Sequence, residues 1–350
     1  MHPMIWSDMY FRMGSKTGDY YDRESMIPED VAAAIPRDVE LVYWDYYHPD
    51  EAFYSEWIAR HRALGHEPVM ASGIWTWANL WYNHNRTAPA AVSAVAASRK
   101  AGVRHIVFTM WGDDGAYCEM DSALAGLAFV MELCWGGSGR EAETAKLCRA
   151  VCGLDYRWSL KFAQMENPLR DPSFDGAFFS VGIFWEDPLI QRHSSWLDRF
   201  AGPWMDYAIA KYRKLAALPP PPGEKAFRHA ALLVRTLAEK TAFRRDFLDA
   251  YRKRDLRAAR ELRSRCREMI RLYRKVWRSF REDWLRHNKP MGFELLSHRF
   301  GAIIMRYEEI SLRLEAFIAD PETRIPELDE AAKLPEKAGD QPYPIARILI

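Results

Sequence analysis

The chain has 350 residues, of which 49 are lysine or arginine and 48 are aspartate or glutamate. This length predicts two domains, and the near-balance of charge gives no indication of a nucleic-acid or membrane partner. No apolar run of about 18 residues occurs, and no signal peptide precedes the first predicted strand. We therefore expect a soluble, cytoplasmic protein, an expectation that an upstream segment would change.

The five cysteines are odd in number and irregular in spacing, which argues against a disulfide framework. Cys148 and Cys152 stand four residues apart on a predicted helix, but no second pair of cysteine or histidine residues accompanies them. We expect small buried thiols, and neither a metal site nor a cofactor.

Four strand-like segments alternate with helical segments in the first part of the chain. The predicted strands cover residues 4–9, 39–46, 68–74 and 105–110. The predicted helices cover about residues 27–34, 51–64, 87–102 and 122–133. Strand and helix alternating at this spacing indicate right-handed crossovers and a parallel sheet.

The later part of the chain is predicted to be mainly helical. Helices are expected at 141–151 and 195–217, with a loop at 167–181. A stiff polyproline spacer follows at 218–223. Beyond it, three stretches with apolar faces are typical of a helical bundle, at about 224–250, 255–288 and 293–319.

Each predicted strand ends in aromatic residues next to a carboxylate or hydroxyl. The four runs are Ile5-Trp6-Ser7-Asp8, Val42-Tyr43-Trp44-Asp45, Gly73-Ile74-Trp75-Thr76-Trp77 and Thr109-Met110-Trp111-Gly112-Asp113. Aromatic faces stack on sugar rings and carboxylates accept hydrogen bonds from sugar hydroxyls. The pattern therefore predicts a carbohydrate pocket at the active face of a β/α barrel, although it supplies four units where a closed barrel has eight. The alternative is that the tryptophans pack beneath helices and the aspartates cap helix N-termini.

These runs resemble the second half of the catalytic barrel of family 20 glycoside hydrolases, the β-N-acetylhexosaminidases, in the branch with a helical C-terminal domain. The resemblance continues through Phe184-Trp185-Glu186-Asp187-Pro188-Leu189 and Asn288-Lys289-Pro290-Met291-Gly292-Phe293-Glu294, and so covers most of the chain. It implies an α/β fold in which a partial (β/α)8 TIM barrel of about four units precedes an all-α helical bundle. The domains implied are a half-barrel at 1–140, barrel-packing helices and loops at 141–218, the bundle at 224–320 and a loosely ordered tail at 321–350.

Two pocket signatures of that family match the strand ends. Its Tyr-x-Asp signature matches Tyr43 and Asp45, and its Trp-x-Glu/Asp signature matches Trp111 and Asp113. The resemblance implies that Tyr43 and Asp45 contact the 2-acetamido group and that Asp113 binds the hydroxyls at carbons 4 and 6. It also implies that Trp111 and Trp75 line the sugar ring and its acetamide.

Three further residues complete the predicted substrate-binding set. Trp6 and Asp8 match the pocket wall that the fifth barrel strand supplies, and Trp77 points to the same side of its strand as Trp75. For Asp8 the alternative is an ion pair with Arg12, outside the pocket. Asp114 is a weaker candidate than its neighbour, because Asp-Gly is also a turn sequence.

The catalytic pair of the family has no match in this sequence. By resemblance, catalysis is substrate-assisted: the acetamide oxygen attacks the anomeric carbon while an Asp orients it and an adjacent Glu protonates the leaving group. That pair follows the fourth strand of the full barrel in a His-x-Gly-x-Asp-Glu context. Asp50 and Glu51 are adjacent, but they begin a helix after His48-Pro49, where acids cap the helix. We therefore expect no catalytic residue in this chain.

Three interpretations of function remain open. The leading one is a β-N-acetylhexosaminidase-like fragment for terminal β-linked GlcNAc or GalNAc, inactive alone and with a separately encoded N-terminal half-barrel as its possible partner. The second is a non-catalytic sugar-binding or scaffold protein. The third rests on the arginine-rich helices from Arg252 to Arg286, which would bind nucleic acid or another anion. Interspersed acids such as Asp255 and Glu261 favour a solvated face instead, so no nucleic-acid partner is expected.

Overall fold

The computed structural model describes residues 3–113, 115–167, 169, 179–219, 221 and 225–329. The chain is mostly helical and contains a four-stranded parallel sheet. It divides into two compact units. The first comprises Met1–Trp75, Asn83–Trp111 and Ala123–Tyr156, and the second comprises Thr76–Tyr82, Gly112–Ser122 and Arg157–Ile350. The second unit takes in residues on both sides of the proline-rich segment, and the domain boundaries proposed from the sequence stay a prediction.

The sheet lies in the first unit. Its strands are β1 (Met4–Trp6), β2 (Glu40–Trp44), β3 (Val69–Gly73) and β4 (Ile106–Thr109). They pair in the order β1-β2-β3-β4, all parallel, with Trp6 opposite Val42 and Trp44 opposite Ala71. The predicted parallel sheet is therefore confirmed, although every strand is shorter than predicted.

Helices follow the strands as the alternating pattern predicts. They are α1 (Asp8–Met13), α2 (Glu29–Ala34), α3 (Glu51–Ala63), α4 (His84–Ala101), α5 (Leu124–Cys134) and α6 (Glu141–Cys152). The prediction that the first strand continues to residue 9 is wrong, because the chain turns into α1 when Tyr10 N–H bonds to the carbonyl of Ser7 at 3.1 Å. Helix α4 begins before the predicted residue 87, since the Asn83 side chain caps it by accepting from the N–H of Arg86 at 3.3 Å.

Both faces of the sheet carry apolar residues. On one face Tyr43 and Met70 pack against aromatic and aliphatic residues of α3, including Trp57, and against small residues of α4. On the other face Val42, Val69 and Ala71 form a second cluster, with Trp44 packed against it. A parallel sheet normally has both faces covered, so this two-sided pattern is the expected one.

The two outer strands expose apolar side chains. Met4, Ile5 and Trp6 of β1 are 51%, 43% and 41% exposed, and Val107 of β4 is 38% exposed. Among the described residues, β1 pairs with β2 alone and β4 with β3 alone. Apolar, unpaired edges promote pairing with another strand. The sheet thus has two edges suited to further strands.

The second unit is built from helices. They are α7 (Tyr156–Ala163), α8 (Phe179–Trp185), α9 (Arg192–Phe200), α10 (Met205–Ala216), α11 (Lys225–Lys253), α12 (Leu256–His287), α13 (Phe293–Ala319) and α14 (Pro326–Asp329). The three long helices agree with the prediction to within a few residues. Helix α7 was not predicted, and the tail predicted at 321–350 contains α14, while its residues 330–350 lie outside the described ones.

Two loop and helix predictions in this unit need correction. The single helix predicted at 195–217 is wrong, because α9 ends at Phe200, and Gly202, with φ of +64°, and Pro203 follow before α10 begins at Met205. The loop predicted at 167–181 gives way to α8 at Phe179. The rest of that prediction falls largely on residues 168 and 170–178, which are not described.

A buried lysine closes the C-terminal end of α8. The last carbonyls of a helix have no partner within the helix. Lys240 of α11 donates from Nζ to the carbonyl oxygens of Phe184 at 3.0 Å and Glu186 at 2.7 Å, and the Tyr273 hydroxyl of α12 donates to Phe184 at 2.6 Å. Burial lowers the pKa of Lys240 to about 8 and raises the pKa of Glu186, whose carboxylate accepts from the N–H of Ser194 at 2.9 Å. Helices α8, α11 and α12 are joined at this point.

A buried glutamate holds the segment Thr76–Tyr82 within the second unit. Glu166 Oε1 accepts from the backbone N–H groups of Leu80 at 2.9 Å and Trp81 at 2.7 Å. The Ser180 hydroxyl contacts its other carboxylate oxygen. Burial raises the pKa of Glu166 to about 8.

Replacing Lys240 with methionine should lower the free energy of unfolding by about 3 kcal/mol. The Glu186 carbonyl would lose this buried donor, the Phe184 carbonyl would keep only the Tyr273 hydroxyl, and the Glu186 carboxylate would keep only the charge of Arg244 nearby. Urea unfolding at pH 7 measures the change. Lys253→Met, on the exposed surface of the same helix, is the control and should stay close to wild type. Equal stability of the two variants would contradict the assigned role.

Glu166 should make stability depend on pH. Its folded pKa of about 8 lies above the ordinary value of 4.5, so the folded state binds the extra proton. The free energy of unfolding should therefore fall as pH rises from about 4.5 to about 8. Glu166→Gln keeps an acceptor oxygen and should flatten this slope in urea titrations at several pH values. The control is Glu143→Gln, at an exposed site, which should leave the pH slope of the wild type unchanged. A wild-type slope in the Glu166 variant would contradict the assignment of the pH dependence to Glu166.

Candidate functional site

Six aromatic residues at the C-terminal ends of the four strands lie together in the first unit. This aromatic cluster consists of Trp6, Trp44, Tyr46, Tyr47, Trp75 and Trp111. Ring centroids are 6.1 Å apart for Trp6 and Trp111, 5.1 Å for Trp44 and Tyr46, and 5.6 Å for Tyr47 and Trp75. Rings from the ends of all four strands therefore meet along one edge of the sheet.

Two indole hydrogen bonds connect the cluster through Tyr46. Trp75 Nε1 donates to the Tyr46 carbonyl at 3.1 Å, and Trp111 Nε1 donates to the Tyr46 hydroxyl at 3.4 Å. Tyr46 and Trp75 are buried, whereas Trp6 is 41% and Trp111 is 37% exposed. The cluster thus combines the buried, hydrogen-bonded Tyr46 and Trp75 with the Trp6 and Trp111 rings, which are partly exposed to solvent.

Trp75 is held at the junction of β3 and α4. Its backbone N–H donates to Thr87 Oγ1 at 2.9 Å, and its carbonyl accepts from the N–H of Asn83 at 2.9 Å. The Arg86 guanidinium lies over its ring at 4.6 Å from the centroid. Burial lowers the pKa of Arg86, and the nearby Tyr47 opposes that shift.

Asp45 fixes the turn that presents Tyr46 and Tyr47. Its Oδ1 accepts from the N–H groups of Tyr47 at 2.8 Å and His48 at 3.2 Å, and its Oδ2 lies 2.6 Å from His48 Nδ1. Asp45 is fully buried. In this structure its carboxylate orients the turn.

Tyr43 lies in the core, away from the cluster. Its ring is 5.2 Å from Tyr21, 5.1 Å from His61 and 6.0 Å from Tyr54, on the face of β2 that packs against α3. Burial first, and then the charge of Asp45, raise the pKa of Tyr43. From β2 it is Trp44, on the opposite face, that joins the cluster. The acetamide-binding role of Tyr43 stays a prediction.

Asp8 is a buried residue that begins α1, where a carboxylate interacts favourably with the helix N-terminus. The alternative prediction, an ion pair between Asp8 and Arg12, is wrong: the described residues show no such pair. Arg12 instead donates from Nε to the carbonyl of Gly18 at 3.0 Å and from Nη1 to the Tyr20 hydroxyl at 3.1 Å. Burial raises the pKa of Tyr46, and the Asp8 charge contributes to that shift, which places Asp8 near the cluster.

Trp77 and Asp113 belong to the second unit. Trp77 is buried, and its carbonyl accepts from Asn79 Nδ2 at 2.7 Å, while Asp113 is exposed. Asp114 lies outside the described residues. The sugar-binding roles of Trp77 and Asp113 stay predictions.

Asp50 and Glu51 lie at the start of α3, as the sequence predicts. Asp50 caps α3 by accepting from the N–H of Ala52 at 2.9 Å, which confirms its prediction as a helix cap. Glu51 pairs with Lys100 at 2.6 Å. Cys148 is a buried free thiol, as predicted, whereas Cys152, which was also predicted to be buried, is only partly buried. The described residues contain no group of three or more His, Cys, Asp or Glu that could hold a metal ion.

Sequence reasoning missed Trp44, Tyr46, Tyr47 and Arg86. The available signal was the segment from Tyr43 to Tyr47, in which Asp45 is flanked on each side by two aromatic residues. Alternation places Tyr43 and Trp44 on opposite faces of the strand and does not decide which of them faces the pocket. The family signature indicated Tyr43, whereas the structure brings Trp44, Tyr46 and Tyr47 to the cluster.

A comparison with known protein families finds a match in the C-terminal part of the chain. Residues 180–343 match the family described as Glycoside Hydrolase 20C C-terminal domain. This match is consistent with a family 20 glycoside hydrolase C-terminal helical domain, and it confirms the resemblance recognised from the sequence over these residues. No curated protein matches the chain.

Within the described residues, no helix is long and apolar enough to cross a membrane.

Replacing Asp45 with alanine should disorder the turn that carries Tyr46 and Tyr47, since two N–H groups lose their acceptor. We expect a loss of near-ultraviolet circular dichroism from the cluster and a decrease of about 2 kcal/mol in the free energy of unfolding. Asp50→Ala removes a comparable acceptor at the start of α3, should cost about 1 kcal/mol and should leave the aromatic signal intact. An unchanged aromatic signal in the Asp45 variant would rule out this positioning role.

Proposed function

We propose that this chain is the C-terminal portion of a β-N-acetylhexosaminidase-like glycoside hydrolase whose sugar pocket lies at the strand ends. The aromatic cluster carries the proposal. Rings from four consecutive parallel strands meet at the C-terminal edge of the sheet, which is where β/α-barrel enzymes build their active sites. The family 20 match in residues 180–343 supports the same class of protein.

The chemistry of the cluster favours a carbohydrate. Trp6 and Trp111 offer exposed ring faces with which the C–H side of a sugar ring can stack, while Tyr46 and Asp8 provide polar groups beside them. By the family resemblance, Trp75 would border the acetamide. Terminal β-linked GlcNAc or GalNAc is the substrate that this resemblance implies.

The exposed edge strands support a barrel completed by other β/α units. A closed barrel of this type has eight parallel strands, and the described sheet has four with apolar residues exposed on β1 and β4. We propose that a further set of parallel strands pairs with both edges, whether it comes from the same polypeptide or from a separate one. That half would supply the Asp-Glu pair for substrate-assisted catalysis.

The alternative is a sugar-binding or scaffold protein without catalysis. Two interactions favour this alternative: the Asp50 side chain caps α3, and the Glu51 carboxylate forms an ion pair with Lys100. Neither residue is free to act as a general acid in this arrangement. Recovery of hydrolysis on adding a complementary half-barrel distinguishes the glycosidase from this alternative.

We expect the isolated chain to give no turnover of p-nitrophenyl β-N-acetylglucosaminide, because the positioned acid is missing. Co-expression with a half-barrel that carries the Asp-Glu pair should restore hydrolysis. In the restored enzyme, Trp111→Ala should lower kcat/KM about 100-fold. Trp135→Ala removes an indole that is 83% exposed and should leave kcat/KM unchanged.

Two results would overturn the proposal. One is turnover by the isolated chain that Glu51→Gln abolishes, which would place the acid at the start of α3. The other is a restored enzyme in which the Trp111 and Trp135 variants behave alike, which would remove the aromatic cluster from the sugar site.

A further inference from the structure

A groove lies between α12 and α13, within the second unit. It encloses about 340 Å³, a volume typical of small-molecule sites. Its lining from α12 includes two arginines and a tryptophan, and its lining from α13 includes small and apolar residues. The main lining residues are Arg274, Trp277, Arg278, Ser297, Gly301 and Ile304.

The two arginines have no carboxylate partner among the described residues. Four other arginines of α12 form ion pairs with aspartate or glutamate. Arg274 and Arg278 are exposed and stand one helical turn apart, so their like charges repel each other. An anion bound by both guanidinium groups would relieve this repulsion through charge-assisted hydrogen bonds.

The apolar side of the groove is rigidly held. Trp277 Nε1 donates to Ser297 Oγ at 3.2 Å, which fixes the indole of α12 against α13. The adjacent Phe300 is buried beneath the groove. A flat indole beside guanidinium groups suits a ligand that combines an anionic group with an apolar body.

Gly301 keeps the groove open. It lies inside α13, where glycine costs about 1 kcal/mol relative to alanine. A Cβ atom at this position would meet no heavy atom within 4 Å. The space beside Gly301 is therefore open, and a ligand that lies along the groove can occupy it.

We propose that this groove binds a small organic carboxylate, with the carboxylate held by Arg274 and Arg278 and the apolar body lying against Trp277 over Gly301. Arginine pairs with carboxylate in a planar, two-bond geometry, which a single lysine does not provide. The site lies within the helical unit and does not depend on the sugar pocket proposed above.

The test uses the whole chain and 4-fluorobenzoate, observed by ¹⁹F nuclear magnetic resonance. We expect saturable binding, and about tenfold weaker binding of the uncharged 4-fluorobenzyl alcohol. The double variant Arg274→Gln with Arg278→Gln should weaken benzoate binding about tenfold or more. Gly301→Leu should block the groove, and far-ultraviolet circular dichroism checks that each variant is folded.

The control is Arg260→Gln with Arg281→Gln, which removes the same charge from exposed positions of α12 outside the lining. It should bind benzoate like the wild type. Equal losses in the two double variants, equal binding of the alcohol and the carboxylate, or no binding up to about 50 mM benzoate would each overturn the proposal.

Discussion

A strand inside a parallel sheet has a hydrogen-bonding neighbour on each side, and its apolar residues are covered on both faces. In the described sheet, β2 and β3 meet these conditions. The outer strands do not, and β1 exposes three consecutive apolar residues in Met4, Ile5 and Trp6. The unpaired sides of β1 and β4 link the fold to the proposed function. Further strands that pair with them would also extend the row of C-terminal strand ends at which the aromatic cluster lies.

The cluster depends on the sheet at every strand. Its rings are contributed by the ends of β1, β2, β3 and β4, and Tyr46 connects the third and fourth through hydrogen bonds from Trp75 and Trp111. Asp45 keeps the β2 end in place by accepting two backbone N–H bonds. The positions of Tyr46 and Tyr47 therefore depend on Asp45, and those of Trp75 and Trp111 are linked to them through Tyr46.

The sequence was most informative where a pattern repeats over many residues. Helices α11, α12 and α13 were predicted nearly to their ends, since their apolar faces recur through seven or more turns and Asn288-Lys289-Pro290 separates two of them. The parallel sheet and the aromatic strand ends were predicted for the same reason. The break at Gly202 was missed because a short interruption hardly changes the apolar period on either side.

The aromatic cluster at the strand ends was predictable in kind and less so in its individual residues. Trp6, Trp75 and Trp111 were identified from the sequence and are brought together, whereas Tyr43 lies in the core and Trp44 takes its place in the cluster. Alternation alone does not choose between the two faces when both carry aromatic rings. That choice depends on which ring packs beneath α3, and this follows from tertiary contacts with Trp57 and His61.

Hydrogen–deuterium exchange of the chain alone tests most directly whether the sheet is incomplete at both edges. The account predicts that the amides of 4–6 and 106–109 exchange about tenfold or more faster than those of 40–44 and 69–73. It further predicts that the outer strands become protected when a complementary half-barrel is added. Equal protection of all four strands in the monomeric chain would contradict it.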